Sequence, residues 1–563
     1  MSSAAASAQQ QQRGVVGRGA CPPPVTRWWG WGDPAHPPAL GAHALRFLRE
    51  TVGIAATPRP PVALGRVEVA PSALSEQTAA ALRAIVGAEG VREDHAERVA
   101  HAAGKGYPDL VRMRAGQPEG TPDAVVLPGD HAQVRAVIEL CARASVAVVP
   151  WGGGTSVVGG VAPLRGEHAA VLALDMGRMG EVLDLDRESR TVTVQAGMRA
   201  VALERYLAAR GLTLGHYPQS YEYVSLGGCA ATRSAGQAST GYGRIEQLVL
   251  GLRFAAPAGD IDLAAVPASA AGPELRRLLV GSEGTLGVID ELALRVRAAP
   301  SEHAYEGVFF EDFAAGVQAL RALAQQGAAP DVTRLSDEAE TRMSLALAGA
   351  GGLKGRLGKV YLRARGYGEG CLAILGFEGE AKEIARRRSQ ALQIARREGG
   401  LAVGRSPGEA WRSSRFSAPY LRDELLSWGV MVETLETATQ WSNVRALHRA
   451  VGTAITEALG AGGTPGLVMC HVSHLYETGA SLYFTFLARQ REGAEIEQWL
   501  AVKQAASRAI VRGGGTITHH HAVGRDHAPW LEDELGRTGV AALRALKSEL
   551  DPAGIMNPGK LLG

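Results

Sequence analysis

The chain has 563 residues, of which 46% are hydrophobic and 21% charged, and it carries 59 basic against 57 acidic residues. This is the composition of a soluble globular protein, and it excludes collagen, coiled-coil and wholly disordered classes. The near-neutral charge, without long runs of one sign, argues against nucleic-acid binding. At about 100–200 residues per domain, the length predicts about two to four domains.

Five cysteines lie far apart, at positions 21, 141, 229, 371 and 470. Their odd number and the lack of a Cys-x-x-Cys pair predict neither a disulfide framework nor a zinc ribbon. No apolar run reaches the roughly 18 residues of a membrane span, and Gln9 to Gln12 replace the apolar core of a signal peptide. We therefore expect reduced thiols and a cytoplasmic protein.

The predicted elements divide the chain into five regions. Residues 1–25 are rich in Ala, Ser and Gln and predict a disordered tail, and 26–117 predict a helical N-terminal region. From 118 to 300, short β-rich runs alternate with helices, which is typical of an α+β or α/β domain. A second alternation over 301–518 predicts a separate domain, which leaves 519–563 as a C-terminal segment.

Individual elements are also predicted within 301–518. The predicted helices are 311–326, 379–398, 443–459 and 494–512, and the predicted strands include 304–310, 359–365, 467–474 and 480–487. The helix over 379–398 carries six basic residues and could rest on an anionic membrane surface. A solvated helix face is the simpler interpretation.

Glycine, at 71 residues, clusters in loops suited to an anion. Three glycines at 152–154 follow the predicted strand 146–149, where they free the backbone to adopt positive φ and to present bare N–H groups. The loop lacks the Gly-Lys-Ser/Thr of a Walker loop and the Gly-x-Gly-x-x-Gly of a dinucleotide fold. Alone it is as compatible with a tight turn as with a nucleotide.

Three later segments add backbone amides and hydroxyls, and four such loops together predict a large cofactor with many acceptor atoms. The candidate cofactor-binding residues are Pro150, Trp151, Gly152, Gly153, Gly154, Thr155, Ser156, His216, Gln219, Ser220, Tyr221, Glu222, Tyr223, Val224, Ser225, Thr232, Arg233, Ser234, Ala235, Glu283, Gly284, Thr285, Leu286, Gly287, Val288 and Ile289.

The motifs Pro-x-Gly-Gly-Gly-Thr-Ser at 150–156, Thr-Arg-x-x-Gly at 232–236 and Gly-Ser-Glu-Gly-Thr-Leu-Gly-Val-Ile at 281–289 resemble the FAD-binding domain of the vanillyl-alcohol oxidase, or PCMH, type. The resemblance implies an α+β protein, with two α+β subdomains that grip FAD over 118–300. It further implies an α+β cap domain with a largely antiparallel sheet that holds substrate. Some members bind FAD covalently through His or Cys near the glycine loop. Residues 151–160 contain neither, so we expect non-covalent FAD.

Further motifs, from about residue 27 to the C-terminus, resemble the alkyldihydroxyacetonephosphate synthase family. They are Arg27 to Gly32, Tyr107 to Leu110, Gly215 to Pro218, Tyr420 to Asp423, Tyr476 to Phe484 and Gly514 to Gly524. The resemblance implies an enzyme of ether-lipid synthesis that exchanges the acyl chain of acyl-dihydroxyacetonephosphate for a fatty alcohol. The implied route passes through a flavin N5 adduct without net redox change, and 519–563 are expected to return to the FAD site.

The resemblance assigns phosphate binding to Arg422 and Arg334, whose guanidinium fork suits a phosphate dianion. Surface salt bridges with Asp423 and Asp337 are the structural alternatives. Tyr483 matches the catalytic tyrosine of the family. Its β-patterned surroundings also fit core packing, and a role in proton transfer calls for a pKa lowered from about 10.

His519, His520 and His521 match the triple-histidine motif of the family and are expected to tune proton transfer at the flavin. An extended backbone would place His519 and His521 on one face and direct His520 away. No metal is expected, because no Cys lies nearby and Asp526 is the only close carboxylate.

An FAD-dependent dehydrogenase or oxidase of a 2-hydroxy acid stays the alternative, since the glycine loops fit it equally well. Arg422 would then hold a carboxylate, and His519 or His521 would accept the hydroxyl proton. A long apolar channel in the cap domain would favour the lipid enzyme.

We expect lipid substrates and no nucleic-acid partner, and the sequence leaves open a peripheral membrane contact and a homodimer. The C-terminal Lys560 to Gly563 do not match a Ser-Lys-Leu peroxisomal signal, which favours the cytoplasm.

Overall fold

The computed structural model describes residues 26–32, 40–347 and 353–562, so the tail predicted for 1–25 lies outside the described residues. Four helices precede or border the first sheet: α1 (Ala42–Thr51), α2 (Glu76–Val86), α3 (His95–Ala100) and α4 (Tyr107–Ala115). The side chains of Ser75 and Asp94 cap α2 and α3 by accepting backbone N–H groups of Thr78 and Glu97. These helices lie within the region for which the sequence predicts helices.

The first sheet has four strands in the order β1-β2-β4-β3: β1 (Val91–Arg92), β2 (Ala124–Val126), β3 (Val146–Trp151) and β4 (Ala170–Asp175). β2, β4 and β3 run parallel, and helix α5 (His131–Ala144) packs on them. The free edge of β3 is covered by the C-terminal segment, because Val148 donates to the carbonyl of Ile555 and accepts from the N–H of Asn557.

The second sheet is antiparallel, in the order β5-β6-β10-β8-β9. Its strands are β5 (Val182–Asp186), β6 (Thr191–Gln195), β8 (Val249–Ala256), β9 (Gly259–Leu263) and β10 (Val288–Arg295), and β7 (Leu212–Thr213) pairs separately with β11 (Arg297–Ala298). The helices of this part are α6 (Ala200–Ala208), α7 (Leu226–Ala231), α8 (Ser239–Tyr242), α9 (Ile245–Leu248) and α10 (Leu275–Leu279). Alternate residues such as Val192 and Val194 are fully buried, as expected for one inward face of a strand.

The third large sheet has seven antiparallel strands in the order β15-β12-β14-β13-β17-β18-β16. They are β12 (Glu302–Phe310), β13 (Val332–Ser336), β14 (Cys371–Gly379), β15 (Leu401–Gly404), β16 (Val430–Gln440), β17 (Leu467–Leu475) and β18 (Gly479–Arg489). β16 and β18 pair in continuous register from Val430 opposite Arg489 to Gln440 opposite Gly479. This sheet and the two preceding ones confirm the predicted α+β class with an antiparallel cap sheet.

Helices flank the cap sheet and follow it. They are α11 (Phe313–Gln325), α12 (Glu338–Leu347), α13 (Leu353–Ala364), α14 (Ala381–Arg397), α15 (Ser406–Ser414), α16 (Ala418–Ser427), α17 (Val444–Ala461), α18 (Glu495–Arg512) and α19 (Leu531–Leu550). No helix in the described ranges is both long and apolar enough to cross a membrane.

The strand predicted at Lys359 to Arg365 is wrong, because most of this segment belongs to α13. Its run of Val360, Tyr361 and Leu362 is locally β-like, but the flanking Leu, Lys and Arg residues favour a helix. Val360 and Tyr361 are exposed at 63% and 48%, so they are not buried as residues of a central strand would be.

The basic helix α14 carries two cations that are paired within the protein. Arg387 bonds to Asp331 and Arg388 to Glu306, while Lys382 and Arg386 are exposed. This arrangement favours the interpretation of α14 as a solvated face packed on its own domain.

Candidate active site

One cavity of about 560 Å³ is lined by residues from the first and second sheets, the cap sheet and the loop that follows helix α18. Its wall combines the glycine loop after β3 with parts of segments 218–237 and 282–289 on one side. Strands β13, β16, β17 and β18 and helices α12 and α16 supply the other side. The cavity therefore brings the predicted cofactor loops against the predicted substrate domain.

The glycine loop presents a row of free backbone donors. The N–H groups of residues 152–156 have no acceptor within the described part of the chain. Gly154 adopts φ +63°, and a Cβ on Gly153 would lie 2.3 Å from the carbonyl oxygen of Tyr223. Only glycine fits this close approach, and a concave run of N–H groups suits the pyrophosphate of FAD.

Most of the predicted cofactor-binding residues line this cavity. They are Pro150, Trp151, Gly152, Gly153, Gly154, Thr155, Ser156, Gln219, Ser220, Val224, Ser225, Thr232, Ser234, Ala235, Glu283, Gly284, Gly287, Val288 and Ile289. Glu283 also accepts the backbone N–H groups of Val523 and Gly524, so it ties the loop after the three histidines to the cofactor side. Burial raises the pKa of Glu283 to about 7.

Seven predicted cofactor residues lie behind the wall: His216, Tyr221, Glu222, Tyr223, Arg233, Thr285 and Leu286. The turn over 218–224 directs successive side chains to different sides. Tyr221 stacks on Phe416, Tyr223 packs edge-on against Trp31, and Glu222 accepts the hydroxyl of Tyr420.

The other residues behind the wall have partners of their own. Arg233 lies 3.9 Å from Glu246, the Thr285 hydroxyl donates to the carbonyl of Ser282, and Leu286 is buried in the core. The buried His216 lies with its Nε2 2.8 Å from the hydroxyl of Ser234. The structure thus does not bring these side chains to the cofactor wall.

Arg422 presents an open guanidinium to the cavity. It is 8% exposed, and its Nη1 donates to the carbonyl of Lys105 at 3.1 Å. Its Nε and Nη2 have no hydrogen-bond partner among the described residues, and Glu433 lies 3.9 Å from Nη2. The alternative salt bridge with Asp423 is absent there, since that carboxylate accepts the N–H of Trp31 and lies 3.8 Å from Arg27. Arg422, which is predicted to bind the phosphate, therefore has two donors free for an anion.

Arg334 also lines the cavity, but its charge is balanced inside the protein. Its Nη2 donates to Glu340 at 2.7 Å, and its Nη1 lies 3.1 Å from His471. The alternative partner Asp337 instead accepts the backbone N–H of Cys470. Burial raises the pKa of Glu340, but the charges of Arg334 and His471 outweigh this and hold it below its usual value.

Tyr483 lies on β18, opposite Glu436 of β16 and His471 of β17. Its ring stacks on His471 with centroids 4.8 Å apart and meets the edge of His521 at 5.4 Å. A role as a base would require a lowered pKa, whereas burial raises the pKa of Tyr483 to about 12. The hydroxyl is therefore protonated at neutral pH and can donate a hydrogen bond or a proton.

The three histidines form a bent loop around one carboxylate. The backbone N–H groups of His519, His520 and His521 all donate to Glu436, and the loop is not extended. The expectation that His520 points away is therefore wrong: His520 and His521 line the cavity beside Tyr483. His519 lies behind them, with its Nδ1 2.9 Å from the Nδ1 of His520.

Burial keeps the three imidazoles neutral. It lowers the pKa of His520 to about 3 and lowers the pKa values of His519 and His521 as well. A neutral imidazole has a free lone pair that can accept a proton from a group held near Tyr483, and the lowered pKa makes it a weak base that needs a nearby negative charge to hold that proton.

His474, His519 and His520 place ligand atoms within 4.8 Å of one another, which is the geometry of a three-ligand metal site. Their nitrogens already face protein partners: His474 contacts the carbonyl of Gly236 and Ser473, and His519 lies 2.5 Å from the hydroxyl of Tyr476. We assign no metal to this cluster, and the expected absence of a metal stays a prediction.

The sequence interpretation missed several residues of the wall. Trp31 is 4% exposed, and its indole N–H has no partner among the described residues. The motif that contains Trp31 carried part of the family resemblance, but no role was assigned to the residue. A buried indole N–H usually has an acceptor, so this N–H is available to a ligand. Glu436, which lies behind the wall and binds the histidine loop, was missed as well, because nothing in the sequence links it to His519, 83 residues later.

Polar atoms left without partners also line the cavity. The buried oxygens of Gln237, Ser282 and Thr333 have no hydrogen-bond partner in the described structure. Buried polar atoms are normally hydrogen-bonded, so such a cluster fits a polar ligand. Together with the free N–H groups of residues 152–156, they fit FAD.

The opposite wall is apolar. Six side chains of one hydrophobic cluster face the cavity or border it: Met343, Leu421, Leu425, Val432, Met469 and Leu487. This wall lies in the cap domain, where the sequence interpretation places the lipid chains.

The comparison with known proteins agrees with this geometry. Residues 122–263 match the family model "FAD binding domain", and 299–561 match "FAD linked oxidases, C-terminal domain". Alkyldihydroxyacetonephosphate synthase of Dictyostelium discoideum is 34% identical over 84% of this chain and 78% of its own length. The chain belongs to the alkyldihydroxyacetonephosphate synthase family. The family models also confirm FAD as the cofactor.

Other alkyldihydroxyacetonephosphate synthases support this membership. The synthase of Trypanosoma brucei brucei is 32% identical over 95% of this chain and 92% of its own length. A solved structure of an alkyldihydroxyacetonephosphate synthase is 30% identical, with a TM-score of 0.82, and covers 95% of this chain and 98% of that chain. The structure of p-cresol methylhydroxylase, at 14% identity and a TM-score of 0.66, shows the shared fold alone.

Proposed function

We propose that this protein is an FAD-dependent alkylglycerone-phosphate synthase. It exchanges the acyl chain of acyl-dihydroxyacetonephosphate for a fatty alcohol without net redox change. The observation that carries the proposal is a single cavity that contains the free Arg422 donors, the neutral Tyr483, His520 and His521, and the free amides of the glycine loop. Its apolar cap wall fits long hydrocarbon chains.

The phosphate end of the substrate is bound by Arg422. Its Nε and Nη2 lie on one edge of a planar guanidinium and match two oxygens of a phosphate dianion. Since the charge of Arg334 is balanced by Glu340, Arg334 contributes shape to the wall, and Arg422 is the anchor for the phosphate.

The proton at substrate C1 is handled by His520, His521 and Tyr483. A neutral imidazole removes this proton and later returns it. The hydroxyl of Tyr483 donates its proton to the departing carboxylate of the acyl chain and takes a proton back from the incoming fatty alcohol as that alcohol attacks. The residues 152–156, Ser225 and Ser282 would hold FAD, which supplies an electron-accepting ring to the reaction when bound.

The proposal is tested by following alkyl exchange in purified protein. With acyl-dihydroxyacetonephosphate and a fatty alcohol, we expect an alkyl ether product and release of the fatty acid, with oxygen consumption at background. Glycolate oxidase subunit GlcD of Bacillus subtilis is 26% identical over 79% of this chain, so a 2-hydroxy-acid enzyme is the competing outcome. Flavin bleaching by lactate or glycolate without any alkyl exchange would exclude the synthase.

We also propose a place in ether-lipid synthesis and a cytoplasmic protein that contacts membranes peripherally. Helix α13 supports the contact, because it exposes Val360 and Tyr361 and follows α12, which contributes Met343 to the cavity wall. Flotation with anionic vesicles tests this: Val360→Ser with Tyr361→Ser should reduce binding, whereas Leu500→Ser, an exposed control, should not.

A homodimer is proposed as well, and light scattering after gel filtration measures it.

A further inference from the structure

Glu436 is a buried carboxylate that collects four donors from one loop. Its side chain lies on β16 and is 1% exposed. Oε1 accepts the backbone N–H groups of His520 and His521 at 2.9 and 2.8 Å and the hydroxyl of Thr518 at 2.9 Å. Oε2 accepts the backbone N–H of His519. Every donor comes from the segment that carries the three imidazoles, so this carboxylate determines the shape of that segment.

The same carboxylate also lies beside the imidazoles themselves. Its Oε2 is 3.7 Å from Nδ1 of His520, and its Oε1 is 3.8 Å from Nδ1 of His521. Tyr483 is the residue opposite Glu436 in the β16–β18 register, which places the two side chains on one face of the sheet. Glu436 therefore lies at the centre of the groups that handle protons in the proposed reaction.

A carboxylate has a property here that an amide lacks. An ionised carboxylate only accepts hydrogen bonds, whereas a glutamine would direct its NH₂ group at one set of these donors. A carboxylate also supplies a negative charge where an imidazole becomes positive on accepting a proton. The loop needs a group that only accepts hydrogen bonds, and the proposed chemistry uses the negative charge.

We propose that Glu436 is a positioning residue that fixes the loop 518–521 so that His520 and His521 face Tyr483, and that its charge stabilises whichever imidazole holds the substrate proton. The inference rests on the proposed function for the second role only. The proton leaves the substrate carbon, resides on an imidazole nitrogen and is later returned, so no oxidant or reductant is consumed.

Burial is the largest influence on the pKa of His520 and of His521, and it lowers both; nearby charges act in addition. His520 is influenced by Glu436, which raises its pKa, and by His521, Arg244 and His471, which lower it. His521 is influenced by Glu436 in the same sense and by Lys503 and Arg422 in the opposite sense. Glu436 is thus an anion that raises the pKa of both imidazoles, so we expect its removal to lower the pKa of both.

Glu436→Gln tests the inference, and Glu204→Gln is a matched control. Glu204 is also buried and accepts two backbone N–H groups, of Leu214 and Gly215, and the hydroxyl of Thr213, but none of these donors belongs to the loop 518–521. We expect Glu436→Gln to keep its FAD and its substrate KM and to lower kcat about ten- to a hundredfold, as loss of an orienting partner does elsewhere. The acid limb of its kcat–pH profile should move to lower pH, because the imidazoles lose their counter-charge.

Hydrogen–deuterium exchange measures the positioning role without any assay of activity. In the holoenzyme, Glu436→Gln should speed exchange in the peptide that spans 518–524, and Glu204→Gln should leave that peptide unchanged. Glu436→Asp, which keeps the charge on a shorter arm, should leave the acid limb in place with an intermediate kcat. This variant also serves if Glu436→Gln does not fold.

Three results would overturn the inference: an unchanged acid limb in Glu436→Gln, unchanged exchange over 518–524, or the same kcat loss in Glu204→Gln. The two proposals can also fail separately. If the wild-type protein catalyses no alkyl transfer, the proposed function is rejected. If Glu436→Gln still speeds hydrogen–deuterium exchange over 518–524 in that case, the positioning role is retained.

Discussion

Replacing Arg422 tests the phosphate anchor directly. In the structure its Nε and Nη2 are free for a ligand, so Arg422→Ala removes one bidentate, charge-assisted contact. Such a contact contributes about 1.5–3 kcal/mol. At about 1.4 kcal/mol per tenfold, this predicts a rise of about 10- to 150-fold in KM for acyl-dihydroxyacetonephosphate.

Steady-state kinetics with varied phosphate substrate measures the effect, and flavin absorbance per protein reports FAD content. Arg422→Lys should recover only part of the loss, because an ammonium cannot reproduce the fork. Arg388→Ala, which removes a cation paired with Glu306 outside the cavity, is the control and should leave KM unchanged. If Arg422→Ala loses FAD and retains its KM, the assignment of Arg422 to the substrate is refuted.

Four further outcomes are expected. Tyr483→Phe should keep FAD and lower kcat by about 10² to 10⁴, the usual contribution of a general acid or base, and an active variant would remove Tyr483 from the mechanism. Acid precipitation should release free FAD, because residues 151–160 contain no His or Cys; yellow colour in the pellet would show a covalent bond. Gly153→Ala should lower FAD content at unchanged substrate KM, since its Cβ would lie 2.3 Å from the carbonyl oxygen of Tyr223, and full occupancy would contradict the close approach. The pKa of Glu340 is lowered from 4.5 in the native state, so its ion pair with Arg334 stabilises the native state above pH 4.5. This stabilisation is lost as the pH falls toward the native-state pKa. Thermal unfolding of Glu340→Gln should therefore show a smaller loss of Tm on acidification than the wild type.

Most residues predicted from the local glycine motifs line one side of the cavity, because the chemistry expected on that side resides in the backbone. A Cβ at position 153 would lie 2.3 Å from the carbonyl oxygen of Tyr223, so the loop requires glycine there, and this requirement is visible in the sequence as the glycine run at 152–154. The side chains behind the wall, such as Tyr221, could not be separated from those on it. Their direction depends on turn geometry that no periodicity encodes.

The substrate side was predicted less completely, because its geometry depends on pairs distant in sequence. Arg334 and Arg422 have the same side chain, and only their surroundings in the fold distinguish them. Arg334 is bound by the carboxylate of Glu340, whereas Arg422 donates from Nη1 to the carbonyl of Lys105 and keeps two other donors free. The bend of the histidine loop is likewise imposed by Glu436 from another strand. The strand predicted at 359–365 failed for a related reason, since a short apolar run does not determine its own partner.

The edge of β3 has a consequence for the order in which this protein is assembled. The glycine loop follows β3, yet the pairing partner of that edge is residues 555–557, and Asn557 donates to the carbonyl of Gly160 across 397 residues of sequence. During synthesis the nucleotide-binding sheet therefore leaves the ribosome with one edge open, while the whole cap domain is still to be made. An early subdomain with an open edge can pair with other chains. We expect nascent chains that stop before residue 555 to bind chaperones and to acquire FAD poorly, even though every glycine loop is already present.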